Sequence, residues 1–132
     1  SLLLMDEPSN GLDIPSKSQF RKVIASGMTD DKSVIISTHQ VRDIDSLLDH
    51  VVIIDGTHVL LNESVKDICA KLYFAEQGMN EPTGDALYVQ PSVQGNSVIL
   101  SNVYNEETKL NLEVLFNAML AEREKMQSIF NK

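Results

Sequence analysis

The chain has 132 residues, 42% of them hydrophobic, which suits one globular domain with a modest core and excludes a disordered segment. Lys and Arg number 11 against 19 Asp and Glu, giving a formal net charge of −8 and a pI near 4.7; this argues against a nucleic-acid-binding surface. A single cysteine, Cys69, excludes an internal disulfide, a thiolate metal cluster and a CxxC redox pair, and fits a reducing cytoplasm, while no apolar run approaches the ~20 residues of a membrane span.

Leu2-Leu3-Leu4-Met5 has no polar alternation, the pattern of a strand buried on both faces of a parallel sheet. Asp6 and Glu7 follow at its carboxyl end, where open α/β sheets place their ligand crevice. Pro8, Asn10, Gly11 and Pro15 mark a loop, and Ser16 is a plausible cap for an amphipathic helix over 16–28 carrying Phe20, Val23, Ile24 and Met28. An Asp30-Asp31 turn ends it. Val34-Ile35-Ile36 reads as a second strand leading into Ser37-Thr38-His39, and the strand–helix–strand order implies a parallel crossover that brings His39 to the same sheet end as Glu7.

Residues 40–48 read as a short helix on Val41, Ile44, Leu47 and Leu48, and Val51–Ile54 as a strand. Asp55-Gly56 signals a hairpin to a strand over 58–62, followed by a small helix over 63–72 that places Cys69 in an amphipathic stretch. A loop over 77–84 marks a boundary near residue 75. Beyond it, 86–89 and 97–100 suggest an antiparallel pair around Pro91 and Gly95, and a long helix over 108–130 carries the stripe Leu112, Leu115, Phe116, Met119, Met126, Ile129 and Phe130. That stripe is interrupted at Glu122-Arg123.

A strand-end carboxylate such as Asp6 can hold Mg²⁺, a hard ion that takes oxygen ligands and completes its shell with water and phosphate. Glu7 can orient or deprotonate a water that attacks a γ-phosphate. A neutral histidine from the neighbouring strand end, His39, can hydrogen-bond that phosphate or water. His50 and His58 stand in no motif. Asp13, preceding Ile-Pro, is also a natural turn residue.

Together, Leu2-Leu3-Leu4-Met5-Asp6-Glu7-Pro8, Ser9-Asn10-Gly11-Leu12-Asp13 and Ser37-Thr38-His39 resemble the Walker B strand, D-loop and H-loop of ABC-type ATPases. Ile53–Val59 is similar to the hairpin that follows the H-loop in that family. The resemblance covers residues 1 to about 72, and it implies a partial P-loop NTPase parallel sheet with flanking helices over 1–75 and a small α+β C-terminal extension over 76–132, as in exporter-type proteins. It further implies Asp6 as Mg²⁺ ligand, Glu7 as catalytic carboxylate, Asp13 as a contact across a dimer and His39 as the γ-phosphate switch. Its implied cofactors are ATP and Mg²⁺, and its implied partners a membrane permease and a second ATPase subunit at the cytoplasmic face of the membrane, with no nucleic acid.

The sequence contains neither Gly-Lys-Ser/Thr nor a Leu-Ser-Gly-Gly-Gln-like signature, so the phosphate-cradling loop and the residues that cap a partner's nucleotide are missing from it. The expectation is therefore a C-terminal piece of an ATPase, inactive alone, binding no nucleotide, and self-associating by pairing or swapping at a sheet edge left open beside the His39 strand. Two alternatives stand beside transport: a soluble ABC-type ATPase acting on nucleic acid or ribosomes, and a non-catalytic interaction module built on the C-terminal strands and helix.

Overall fold

Short apolar runs, punctuated by Gly, Pro and Asn, set out strands and helices over residues 2–8, 10–29, 32–38, 41, 44–81 and 84–130, which the computed structural model describes. The contacts divide the chain into two units, Ser1–Leu47 and Leu48–Lys132.

In the first unit, β1 (Leu2–Asp6) and β2 (Ser33–Ser37) pair in parallel, from Leu2 opposite Ser33 to Asp6 opposite Ser37. Helix α1 (Ile14–Gly27) connects them. The parallel pairing agrees with the strand–helix–strand pattern; the expected burial does not hold. Leu2, Leu3 and Leu4 are 61%, 51% and 67% exposed, because β1 has a hydrogen-bonded neighbour on one side only and α1 buries none of its residues fully. Leu3 and Val34 join Val23, Ile24 and Met28 around a small groove, and by strand alternation Leu2, Leu4 and Ile35 lie on the other face.

Helix α1 starts earlier than the expected 16–28. Asp13, not Ser16, is its cap: Asp13 has extended backbone and its carboxylate accepts from the Ser16 N–H at 2.8 Å, while Pro15 sits in the first turn, where its missing N–H costs nothing. The expected Asp30-Asp31 turn lies outside the described residues. Of the helix expected over 40–48, residues 40, 42 and 43 lie outside the described residues; residues 44–47 form a turn in which Ile44 O accepts from Leu47 N at 2.9 Å, and Ile44 is buried.

In the second unit, β3 (His50–Asp55) and β4 (His58–Ser64) form the expected hairpin, with Gly56 at φ 60° supplying the positive angle that a two-residue turn needs. Ile53 faces Leu61 but Ile54 faces Val59, so Leu60 is a bulged extra residue. The bulge lets Leu60 and Leu61 both go inside. Helix α2 (Val65–Lys71) is capped by Ser64, whose hydroxyl accepts from Asp67 N at 3.0 Å.

Strand β5 (Leu72–Gln77) follows without a loop and has no counterpart among the elements expected from the sequence. It pairs antiparallel with β7 (Gly95–Ser101), which also pairs with β6 (Tyr88–Ser92), giving the order β5-β7-β6; the expected pair is thus part of a three-stranded sheet. Pro91 is accommodated because β6 is an edge strand. The single helix expected over 108–130 is two, α3 (Leu112–Ala121) and α4 (Arg123–Phe130), separated by Glu122 at φ −124°, ψ 52°. The break falls where the apolar stripe is interrupted. Leu115, Met119 and Met126 are completely buried with Ile68, Leu72 and Ile99, so the stripe is core. Among the described residues the parallel sheet thus consists of β1 and β2, and the other two sheets are antiparallel.

Candidate functional site

Parallel pairing places the carboxyl ends of β1 and β2 side by side, and the hydrogen bonds continue one residue past the strands: Glu7 N–H donates to Ser37 O at 2.7 Å. The chain turns sharply there. Glu7 takes φ 49°, a left-handed conformation that few residues without glycine's freedom adopt, and its carbonyl accepts from Asn10 N–H at 3.1 Å to close the loop that follows. The Thr38 hydroxyl donates to Glu7 Oε2 at 2.9 Å in a half-buried setting. A charge-assisted bond of this kind fixes one carboxylate oxygen.

Asp6 is the last residue of β1, exposed and opposite Ser37. It offers one oxygen-ligand group beside Glu7. No three His, Cys, Asp or Glu converge into a metal cluster among the described residues. A single exposed carboxylate suits Mg²⁺ only in company with phosphate and water, which is how that ion is commonly held. Among the described residues the donors do not make an all-protein metal cage.

Asp13 lies on the loop after Glu7 with its carboxylate committed to its own helix. Hydrogen bonds from the Ser16 side chain and then the Ser16 N–H hold its pKa below the usual carboxylate value. His39 lies outside the described residues. His50 is engaged on the hairpin, its Nε2 2.6 Å from Asn62 Oδ1, and belongs to the second unit. Cys69 is half-buried, and that burial pushes its thiol pKa up, against a smaller opposing effect of a hydrogen bond from the Leu110 backbone. This is the behaviour of an inert packing cysteine. The structure thus brings Glu7 together with Ser37 and Thr38, and sets Asp6 next to them. Thr38 is the residue that the sequence reading left without a role; its signal was a hydroxyl one position before His39 at a strand end.

No protein-family model matches the chain, and no solved structure matches it significantly. Its similarities are to curated proteins. An uncharacterized ABC transporter ATP-binding protein of Methanocaldococcus jannaschii is 32% identical over 75 residues, covering 57% of this chain and 29% of that protein. An uncharacterized ABC transporter ATP-binding protein of Bacillus subtilis is 29% identical over 110 residues, 82% of this chain and 32% of its own length. The Nod factor export ATP-binding protein I of Neorhizobium galegae is 24% identical over 131 residues, 92% of this chain and 38% of its own length. The chain spans about a third of the length of these relatives.

This kinship implies the P-loop NTPase class of α/β fold. The chain is, over part of its length, a homologue of ABC transporter ATP-binding proteins. No described helix is long and apolar enough to cross a membrane.

Proposed function

We propose that the chain supplies the Walker B strand, D-loop, H-loop and C-terminal extension of the ATP-hydrolysing subunit of an ABC transporter of exporter type. The observation that carries this reading is the junction of two separate motifs: the Glu7 carboxylate of Asp-Glu-Pro and the Thr38 hydroxyl of Ser-Thr-His are hydrogen-bonded at one end of a parallel strand pair. In this reading Asp6 holds Mg²⁺ on the nucleotide, Glu7 is the catalytic carboxylate that orients the attacking water, Asp13 touches the second ATPase subunit, and His39 senses the γ-phosphate. Bound Mg²⁺ and ATP would supply the phosphoanhydride and neutralise its charge. Thr38 would position Glu7. The export assignment is supported by the Nod factor export protein, whose match extends through nearly the whole chain.

The functional division is 1–75 for the ATPase core and 76–132 for the extension, and the subunit works at the cytoplasmic face of the membrane against a permease. Alone, the chain is inactive, since its sequence has no Gly-Lys-Ser/Thr with which to hold phosphates. It also self-associates through the β1–β2 pair, where Leu4 and its register partner Ile35 are 67% and 54% exposed.

The test is made on the polypeptide extended upstream to include its phosphate-binding loop. Glu7→Gln should abolish ATP turnover while leaving ATP binding in place. Turnover that survives the substitution overturns the role of Glu7, and a reading frame with no phosphate-binding loop upstream overturns the reading as a whole.

A further inference from the structure

Of the asparagines in the chain, Asn10 alone is followed by glycine. Asparagine is a thermally labile residue because the backbone nitrogen of the next residue can attack its side-chain carbonyl carbon. Glycine is the follower that obstructs this attack least, since it has no Cβ and takes backbone angles closed to other residues.

The fold leaves that reaction room at Asn10. Asn10 and Gly11 are exposed and lie between β1 and α1, in neither strand nor helix. Gly11 holds φ 81°, and a Cβ built on it would meet no atom within 4 Å, so the space around this part of the loop is open. The loop is anchored on either side of the pair, by Asn10 N–H donating to Glu7 O at 3.1 Å and by the Asp13 cap of α1. At other asparagines the following nitrogen is constrained. Asn96 and Ser97 sit in β7, the central strand, paired on both sides, and Asn62 lies within β4. Asn117 and its follower lie within α3. The N–H after Asn80 donates to Gly78 O at 3.1 Å, and the N–H after Asn105 donates to Asn102 Oδ1 at 2.8 Å. A nitrogen so engaged must first give up its hydrogen bond.

We propose that Asn10 is a site of spontaneous modification, deamidation through a cyclic imide. The Gly11 nitrogen loses its proton and forms a bond to Asn10 Cγ; the Cγ–Nδ2 bond breaks, and Nδ2 leaves with that proton as ammonia. Water then opens the ring. Its attack at Cγ yields aspartate, and its attack at the backbone carbonyl carbon of Asn10 yields isoaspartate, in which the main chain runs through the former side chain. Either product places a new negative charge between the Glu7 turn and the Asp13 cap, and isoaspartate also lengthens the backbone that joins them. A chain aged in this way is marked beside the candidate catalytic carboxylates. The reaction needs water alone and does not depend on the function proposed above.

The test follows amide loss in the 132-residue chain by peptide mass spectrometry at mildly alkaline pH, in buffer and in urea. In buffer the peptide carrying Asn10 should gain the mass of deamidation and separate into aspartate and isoaspartate forms, at a rate near that in urea. Asn96, whose follower is the small Ser97, should convert in urea and be protected in buffer by its place in β7. Gly11→Ala should slow the loss at Asn10 in urea, where strain at the positive φ plays no part. An Asn10 amide lost in urea but retained in buffer, conversion in buffer no faster than at Asn96, aspartate without isoaspartate, or a Gly11→Ala chain that converts in urea as fast as the wild type each overturns the proposal.

Discussion

Gly95→Ala tests the least anticipated part of the fold, the pairing of β5 with β7. Gly95 opens β7 at φ 146°, and a Cβ built there would overlap the carbonyl oxygen of Gln77 and stand 3.3 Å from its carbonyl carbon and 3.4 Å from Gly78 Cα. All of these are backbone atoms, which cannot rotate aside. Relief requires β5 and β7 to part at their end, releasing about two ladder hydrogen bonds at ~1 kcal/mol each, with ~1–3 kcal/mol more for holding alanine at a glycine angle. The sum is about 3–5 kcal/mol, a large share of the ~5–15 kcal/mol that stabilises a domain. Gly56→Ala is the control, since Gly56 also has positive φ (60°) but nothing within 4 Å of a new Cβ; its cost is ~1 kcal/mol. Urea unfolding followed by far-UV circular dichroism measures both. If Gly95→Ala is no more destabilising than Gly56→Ala, the close approach of Gln77 to Gly95, and the register it comes from, are wrong.

Asp13→Ala should lower α1 helicity and Asp13→Asn should largely keep it, because asparagine caps as aspartate does. Since the folded pKa of Asp13 is depressed, its contribution is complete above the usual carboxylate pKa and fades as pH falls through the lowered value; helicity that is flat with pH in that acidic range would refute the cap. Cys69, with its thiol pKa raised by burial, should react with iodoacetamide far more slowly in the folded chain than in urea, and equal rates would place it outside. Leu4→Lys together with Ile35→Lys should shift the light-scattering mass of concentrated chain toward monomer, and a wild-type chain already monomeric counts against association through this face.

Much of the fold was legible in local chemistry. The parallel β1–β2 pair followed from two apolar runs around a helix, and the β3–β4 hairpin from Asp55-Gly56. Strand β5 was not legible: Leu72-Tyr73-Phe74-Ala75 follows α2 with no turn residue between, and only its register with β7 reveals it. The β1 run read as buried because sequence reports the character of a strand and not how many neighbours it has; with one hydrogen-bonded neighbour its leucines remain exposed. At the candidate site, the adjacency of Glu7 and the Ser37-Thr38 end could be expected from the parallel order, but the Thr38–Glu7 bond is a matter of rotamer and distance. Asp13 read only as a turn residue before Ile-Pro and Ser16 as the cap; the helix starts at Ile14 because Pro15 fits its first turn and the Asp13 carboxylate takes the Ser16 N–H.

The break at Glu122 lets one length of chain grip two different sheets. Before the break, α3 is fixed to the three-stranded sheet through Asn117 and Gln90; after it, α4 reaches the β3–β4 hairpin through Gln127 to Leu60 O and Arg123 to Asp55, with Lys71 Nζ donating to Ile129 O near its end. The last two helices therefore rivet the hairpin to the three-stranded sheet. Residues 48–130 should open as a single cooperative foldon, with hairpin and sheet amides sharing one exchange free energy, so a boundary read from the loop near residue 75 need not be a seam along which the protein comes apart.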